Sequence, residues 1–175
     1  KKNVVAARDG QQAASDQFKD ALTRLREMYN VQGGDLEKTY DALKKDYDRS
    51  VSRADAVHGR IKDVETVAGD LFTEWEKEIQ EISTPSLRQS SKDKLRETRQ
   101  RYDEMITALK RAESSMGPVL VRFKDQVLYL KHNLNAAAIA SLKGESLDIQ
   151  SEINKLLNDM NAAIAQADKF VKAMP

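Results

Sequence analysis

The chain has 175 residues, enough for one domain, with 29 Lys and Arg against 28 Asp and Glu, 33% charged and 40% apolar. Seven glycines and three prolines are too few turn formers for a many-stranded β sandwich, and with no cysteine there is no disulfide, thiolate nucleophile or cysteine metal cluster within these residues. A net charge of +1 removes any global attraction for nucleic acid, and so much charge beside this apolar content predicts long amphipathic helices.

The first segment carries Ala7, Ala14, Phe18, Ala21, Leu25 and Met28 at helical spacing, with Gln11 as the exception. It stops at Val31-Gln32-Gly33-Gly34-Asp35, where paired glycines end one helix and Asp35 can cap the next. The second segment keeps a seven-residue repeat. One line holds Leu36, Leu43, Val57, Val64 and Leu71, and its companion holds Tyr40, Tyr47, Ala54, Ile61, Ala68, Trp75 and Ile82. Ser50 and Glu78 interrupt these lines. Ser83-Thr84-Pro85 is the next reversal, an N-cap followed by proline at the first helical position.

The third segment is polar from Ser86 to Met116 and apolar from Pro118 to Leu142, yet Leu95, Tyr102, Leu109, Met116, Phe123, Leu130 and Ala137 stay on one line across Gly117-Pro118. A kinked, nearly continuous helix is therefore expected there. Lys143-Gly144, with Ser146 as a new cap, ends it. The last segment alternates steps of four and three through Ile149, Ile153, Leu156, Met160, Ala163, Ala167, Phe170 and Met174. This spacing means left-handed knobs-into-holes packing.

At 1.5 Å per residue the second helix spans ~70 Å, longer than either outer segment. The expected fold is all-α: a single domain over 1–175, an elongated antiparallel helical bundle with a two-helix hairpin projecting at 66–102.

Catalytic signals are weak. Asp55 and His58 make one Asp-x-x-His, a half-match to the paired Glu-x-x-His of di-iron bundles, and His58 reads as a surface residue. No Gly-x-Ser-x-Gly turn and no phosphate-wrapping glycine loop occur. The expectation is a protein that is not an enzyme and takes no cofactor or metal.

Three features bear on binding. Arg88, Lys92, Lys94, Arg96, Arg99 and Arg101 form the one local basic excess, and could meet anionic lipid. Glu74, Glu76, Glu78 and Glu81 lie on the helix that must run beside them, so ion pairs flanking a two-helix seam are the plainer reading. Phe72 and Trp75 fall in the part of the hairpin that the outer helices should not cover. They either pack in the seam with Leu95 or Leu87, or form a surface for a protein partner or a second copy of the chain. His132, Asn133 and Asn135 sit in the most apolar segment, where they are expected to be a buried polar cluster that fixes helix register, or else to line a small-ligand pocket.

The strings AARDGQQAASDQFKDAL (6–22), GGDLEKTYDAL (33–43), LFTEWEKEI, SLRQSSKDKLRETRQRYDEMI and PVLVRFKDQVLYLKHNLNAAAIASL (118–142) resemble a family of uncharacterised bacterial proteins, catalogued as a domain of unknown function, many of whose members are predicted lipoproteins. The resemblance spans nearly the whole chain. It implies an envelope protein on the periplasmic side, lipid-anchored through a cysteine upstream of Lys1, and it supplies no catalytic residues. The function expected from all this is a non-enzymatic helical scaffold or protein-interaction module acting through the hairpin end. The alternatives are a membrane-surface module in which Arg88 to Arg101 meet anionic lipid, and a bundle that binds a small ligand or metal near His132.

Overall fold

The computed structural model describes residues 1–31 and 34–174. Among them are five helices and no strand: α1 (Lys2–Tyr29), α2 (Leu36–Glu81), α3 (Pro85–His132), α4 (Ala136–Gly144) and α5 (Ser146–Ala173). The sequence divides into four helical segments, and the fifth helix arises because the third segment ends at His132 and restarts at Ala136. Gly117-Pro118 lies within α3, as expected of a nearly continuous helix. The missing proline N–H costs one backbone hydrogen bond, but the heptad line through Met116 and Phe123 still buries both sides of it.

Helix ends follow local chemistry. Asp35 caps α2 by accepting from the Lys38 amide at 3.1 Å, and Asn135 caps α4 by accepting from the Ala138 amide at 2.9 Å. Thr84 stands at the start of α3 before Pro85, as its sequence implies, but its side chain makes no capping bond. Gln32 and Gly33 of the first reversal lie outside the described residues, and Gly34 takes a φ of 96° that favours glycine.

Helix α1 packs on α2 and α5, and α3 packs on the same two, so α1 and α3 are diagonal partners in an up-down-up-down four-helix body. In α1 the buried positions Val4, Ala7, Gln11, Ala14, Phe18, Ala21, Leu25 and Met28 advance by three and four. The same alternation runs from Met105 to Leu130 in α3 and from Ile149 to Phe170 in α5. This spacing keeps one stripe turned inward, and full burial of each large side chain on it, such as Phe18 or Leu109, contributes about 2 kcal/mol. Short α4 closes the end of the body with Ala138, Ile139 and Leu142.

The register is fixed by named pairs. Arg8 meets Asp168 at 2.9 Å and Arg26 meets Gln150 at 3.1 Å between α1 and α5. Arg122 meets Glu152 at 2.9 Å and Lys169 meets Glu104 at 3.3 Å between α3 and α5. A Cβ on Gly10 would stand 3.6 Å from Arg60 Cγ, so α1 and α2 approach closely there. Continued to the helix ends, this register sets Lys1 about level with Gly69 and Ala173 about level with Arg101. Beyond that level α2 and α3 continue for roughly 18 Å with no other helix of the described residues beside them.

The hairpin has its own small cluster of buried residues, Phe72, Ile79 and Leu95, distinct from those of the body and flanked by Ala68, Trp75 and Tyr102, the last of which also packs against the body core. Here the seven-residue lines slip. Leu71 belongs to the core line by sequence, yet it is 47% exposed and Phe72 is buried in its place. The step from Ala68 to Phe72 is four where the repeat calls for three, a local change that unwinds the supercoil where four helices become two.

Candidate functional site

Phe72 is buried in the hairpin seam, with its ring edge-on to Tyr102 at 5.5 Å and the Arg99 guanidinium 5.2 Å from its centroid. A stacked guanidinium of this kind adds about 0.5–1 kcal/mol. Trp75 is half-buried, and its indole N–H donates to Ser91 Oγ at 2.9 Å. Of the two readings of this aromatic pair, Phe72 follows seam packing, and Trp75 keeps one side toward solvent.

The basic residues do several jobs. Arg88 donates to the carbonyls of Ile82 at 2.8 Å and Gln80 at 3.4 Å, so it satisfies backbone acceptors left open at the end of α2. Arg99 crosses the seam to Glu76 at 2.7 Å, among the described residues the one cross-helix ion pair formed by the acidic run Glu74 to Glu81. Arg96 pairs along its own helix with Asp93, and Arg101 with Glu97. Glu74, Glu78, Glu81 and Lys92 have no ion-pair partner among the described residues. Two clefts of about 530 Å³ each lie along the hairpin and share Lys92 and Leu95.

His132, Asn133 and Asn135 are exposed and form no buried cluster. Asn133 ends α3, its amide donating to the Tyr129 carbonyl at 3.0 Å, and Asn135 begins α4. Short polar side chains that bond nearby backbone interrupt a helix more readily than they enter its core. A cleft of about 300 Å³ lies nearby between α3, α4 and α5, but it is lined by Arg122, Asp125, Gln126, Tyr129, Leu142 and Glu145 among others, and by none of the three.

The polar groups that do lie in the core sit elsewhere. Gln11 reaches across the diagonal to the Leu109 carbonyl at 3.5 Å, and Tyr29 donates to Gln126 Oε1 at 2.6 Å. Between α1 and α2, buried Asp46 accepts from Arg24 Nε at 3.1 Å and holds that guanidinium above its usual range. Gln17 and Ser50 both donate to the Asp46 carbonyl. Gln11 and Ser50 were legible as breaks in otherwise apolar lines, which is the signal of a polar core contact. His58 is exposed beside Glu113, and among the described residues no group of three or more potential ligands could hold a metal. Among the described residues no helix is long and apolar enough to cross a membrane.

Sequence reasoning did not single out the exposed apolar side chains of the hairpin and its root as a set: Val67 at 51%, Leu71 at 47% and Leu87 at 61%. The two adjacent apolar residues Leu71-Phe72, either of which could take the core position, were the available cue.

A family model described as "Protein of unknown function (DUF2959)" matches residues 1–174, and the chain belongs to that family. No curated protein and no solved structure matches the chain.

Proposed function

We propose that this member of the DUF2959 family is a non-enzymatic helical scaffold that engages another protein through its projecting hairpin. The observation that carries the reading is the pair Val67 and Leu71, one turn apart on α2 and both about half exposed, beside a hairpin core of only three buried residues, with Leu87 exposed nearer the turn. Apolar side chains grouped on a projecting element mark an interaction surface more often than a solvated face. Placement on the periplasmic side of the cell envelope, with a lipid anchor, is part of the proposal and rests on the resemblance to predicted lipoproteins alone.

The lipid-facing alternative draws less support, because Arg88 and Arg99 are committed to contacts within the hairpin. The test is photo-crosslinking in cells with the full chain. A crosslinking side chain at Leu71, Leu87 or Lys92 is expected to give protein adducts that one at Val121, which is 61% exposed on the body, does not. Adducts from Val121 with none from the hairpin positions would reject the reading.

A further inference from the structure

The break between α3 and α4 leaves a hollow in the body. Short α4 closes the end of the bundle against α1, α3 and α5 and passes into α5 at Glu145, so the α4–α5 junction faces the last turns of α3. Between them lies the cleft of about 300 Å³. Leu142 and Ile149, both buried, give it an apolar wall, and Tyr129, 42% exposed, adds an aromatic one.

Two features of the lining point to an occupant. The first is charge. Arg122 is answered by α5, through Glu152 at 2.9 Å and Asp148 at 3.8 Å, whereas Asp125 and Glu145 have no ion-pair partner among the described residues. The second is Gln126, which is 6% exposed and lines the same cleft. Tyr29 occupies its Oε1 from within the core, and its amide N–H groups have no protein partner among the described residues. A buried amide is normally paired on both ends, so donors left open at the wall of a cleft call for an acceptor there.

We propose that this cleft binds a small organic amine, a function independent of the hairpin. The ammonium group is met by Asp125 and Glu145. An aromatic or compact apolar body lies against Tyr129, Leu142 and Ile149, and an acceptor atom on that body takes the open N–H of Gln126. A tyrosine face attracts a cation as carboxylates do, so Tyr129 and the two acids select the same sign of charge. The volume stands at the lower end for ligand pockets, which limits the body to a single ring. An anion fits less well, since Arg122 is already held by two carboxylates.

Tyramine is the probe, titrated into the full chain by calorimetry and followed by NMR of the Gln126 side-chain amide. It is expected to bind saturably, at one site per chain, and to shift that amide. Hydroxyphenylpropionate, of nearly the same shape with the charge reversed, is expected to bind at least about tenfold more weakly. Phenethylamine, which lacks the acceptor oxygen, loses about threefold or more. Asp125→Asn combined with Glu145→Gln weakens tyramine at least about tenfold, and both side chains are exposed, so this variant keeps the helical circular dichroism of the parent. His132→Ala, beside the helix break but outside the lining, leaves binding unchanged. Equal binding of tyramine and the carboxylate, no saturable shift of the Gln126 amide with either amine at millimolar concentration, or a loss with His132→Ala as large as with the paired acid variant overturns the proposal. Crosslinks from the hairpin do not depend on these residues, so failure of either reading leaves the other standing.

Discussion

Tyr29 donates its phenolic proton to Gln126 Oε1 at 2.6 Å, joining α1 to its diagonal partner α3 inside the bundle. Burial pushes the phenol up to about 12 from its usual 10, with the bond to Gln126 pulling weakly the other way. The neutral phenol is therefore the form the fold prefers. Its contribution to stability is whole below pH 10 and is lost as pH rises through 12. Tyr29→Phe leaves Gln126 Oε1 buried without its donor and should cost about 1–3 kcal/mol at neutral pH. Urea unfolding of both proteins between pH 9 and 12 checks this: the gap between them stays constant to pH 10 and narrows above it.

Arg24 and Arg96 each hold an aspartate at 3.1 Å, but Asp46 is 6% exposed and Asp93 is 42% exposed. Arg24→Ala strands a buried carboxylate and should cost about 1–2 kcal/mol, a figure reduced from that of a fully buried pair because Arg24 itself is half in solvent. Arg96→Ala should stay within about 0.5 kcal/mol. Denaturant midpoints of the two variants at equal ionic strength provide the comparison.

Ser15 is fully buried in α1, and its hydroxyl has no protein partner. Ser15→Ala removes an unsatisfied polar atom and improves helix propensity, so a gain of about 1 kcal/mol is expected. Thermal melting reads it as a rise in Tm.

Asn135 holds the first turn of α4 through the Ala138 amide. Asn135→Ala should cost about 1 kcal/mol and loosen the end of the body. Limited proteolysis should then cut faster between Asn133 and Ala138, while sites in α1 keep their rates.

The helices of the body were legible because their stripes are long and their caps specific. Asp35 and the Ser83-Thr84-Pro85 turn fall where the residues imply, and the alternation in α5 runs unbroken from Ile149 to Phe170. The break at Asn133-Leu134-Asn135 was missed for a physical reason. An asparagine beside apolar residues reads equally as a buried amide or as a helix cap, and only the capping bond from Ala138 decides between them. The site was less legible than the fold. A strict seven-residue line assigns Leu71 to the core, whereas the four-residue step from Ala68 buries Phe72 and turns Leu71 outward. Such a step has no composition signature when both neighbours are apolar. Charge alone also placed Arg88 in a basic patch, while the open carbonyls of Ile82 and Gln80 draw it into the turn.

The account turns on the hairpin having a cluster of buried residues distinct from that of the body, and hydrogen exchange of the backbone amides in α2 tests this most directly. Protection should be high from Leu43 to Val64, where the helix is one of four. It should fall at least about 100-fold between Phe72 and Glu81, where the core is Phe72, Ile79 and Leu95 alone. Equal protection along the whole of α2 would mean that body and hairpin open as one unit, and would contradict the account.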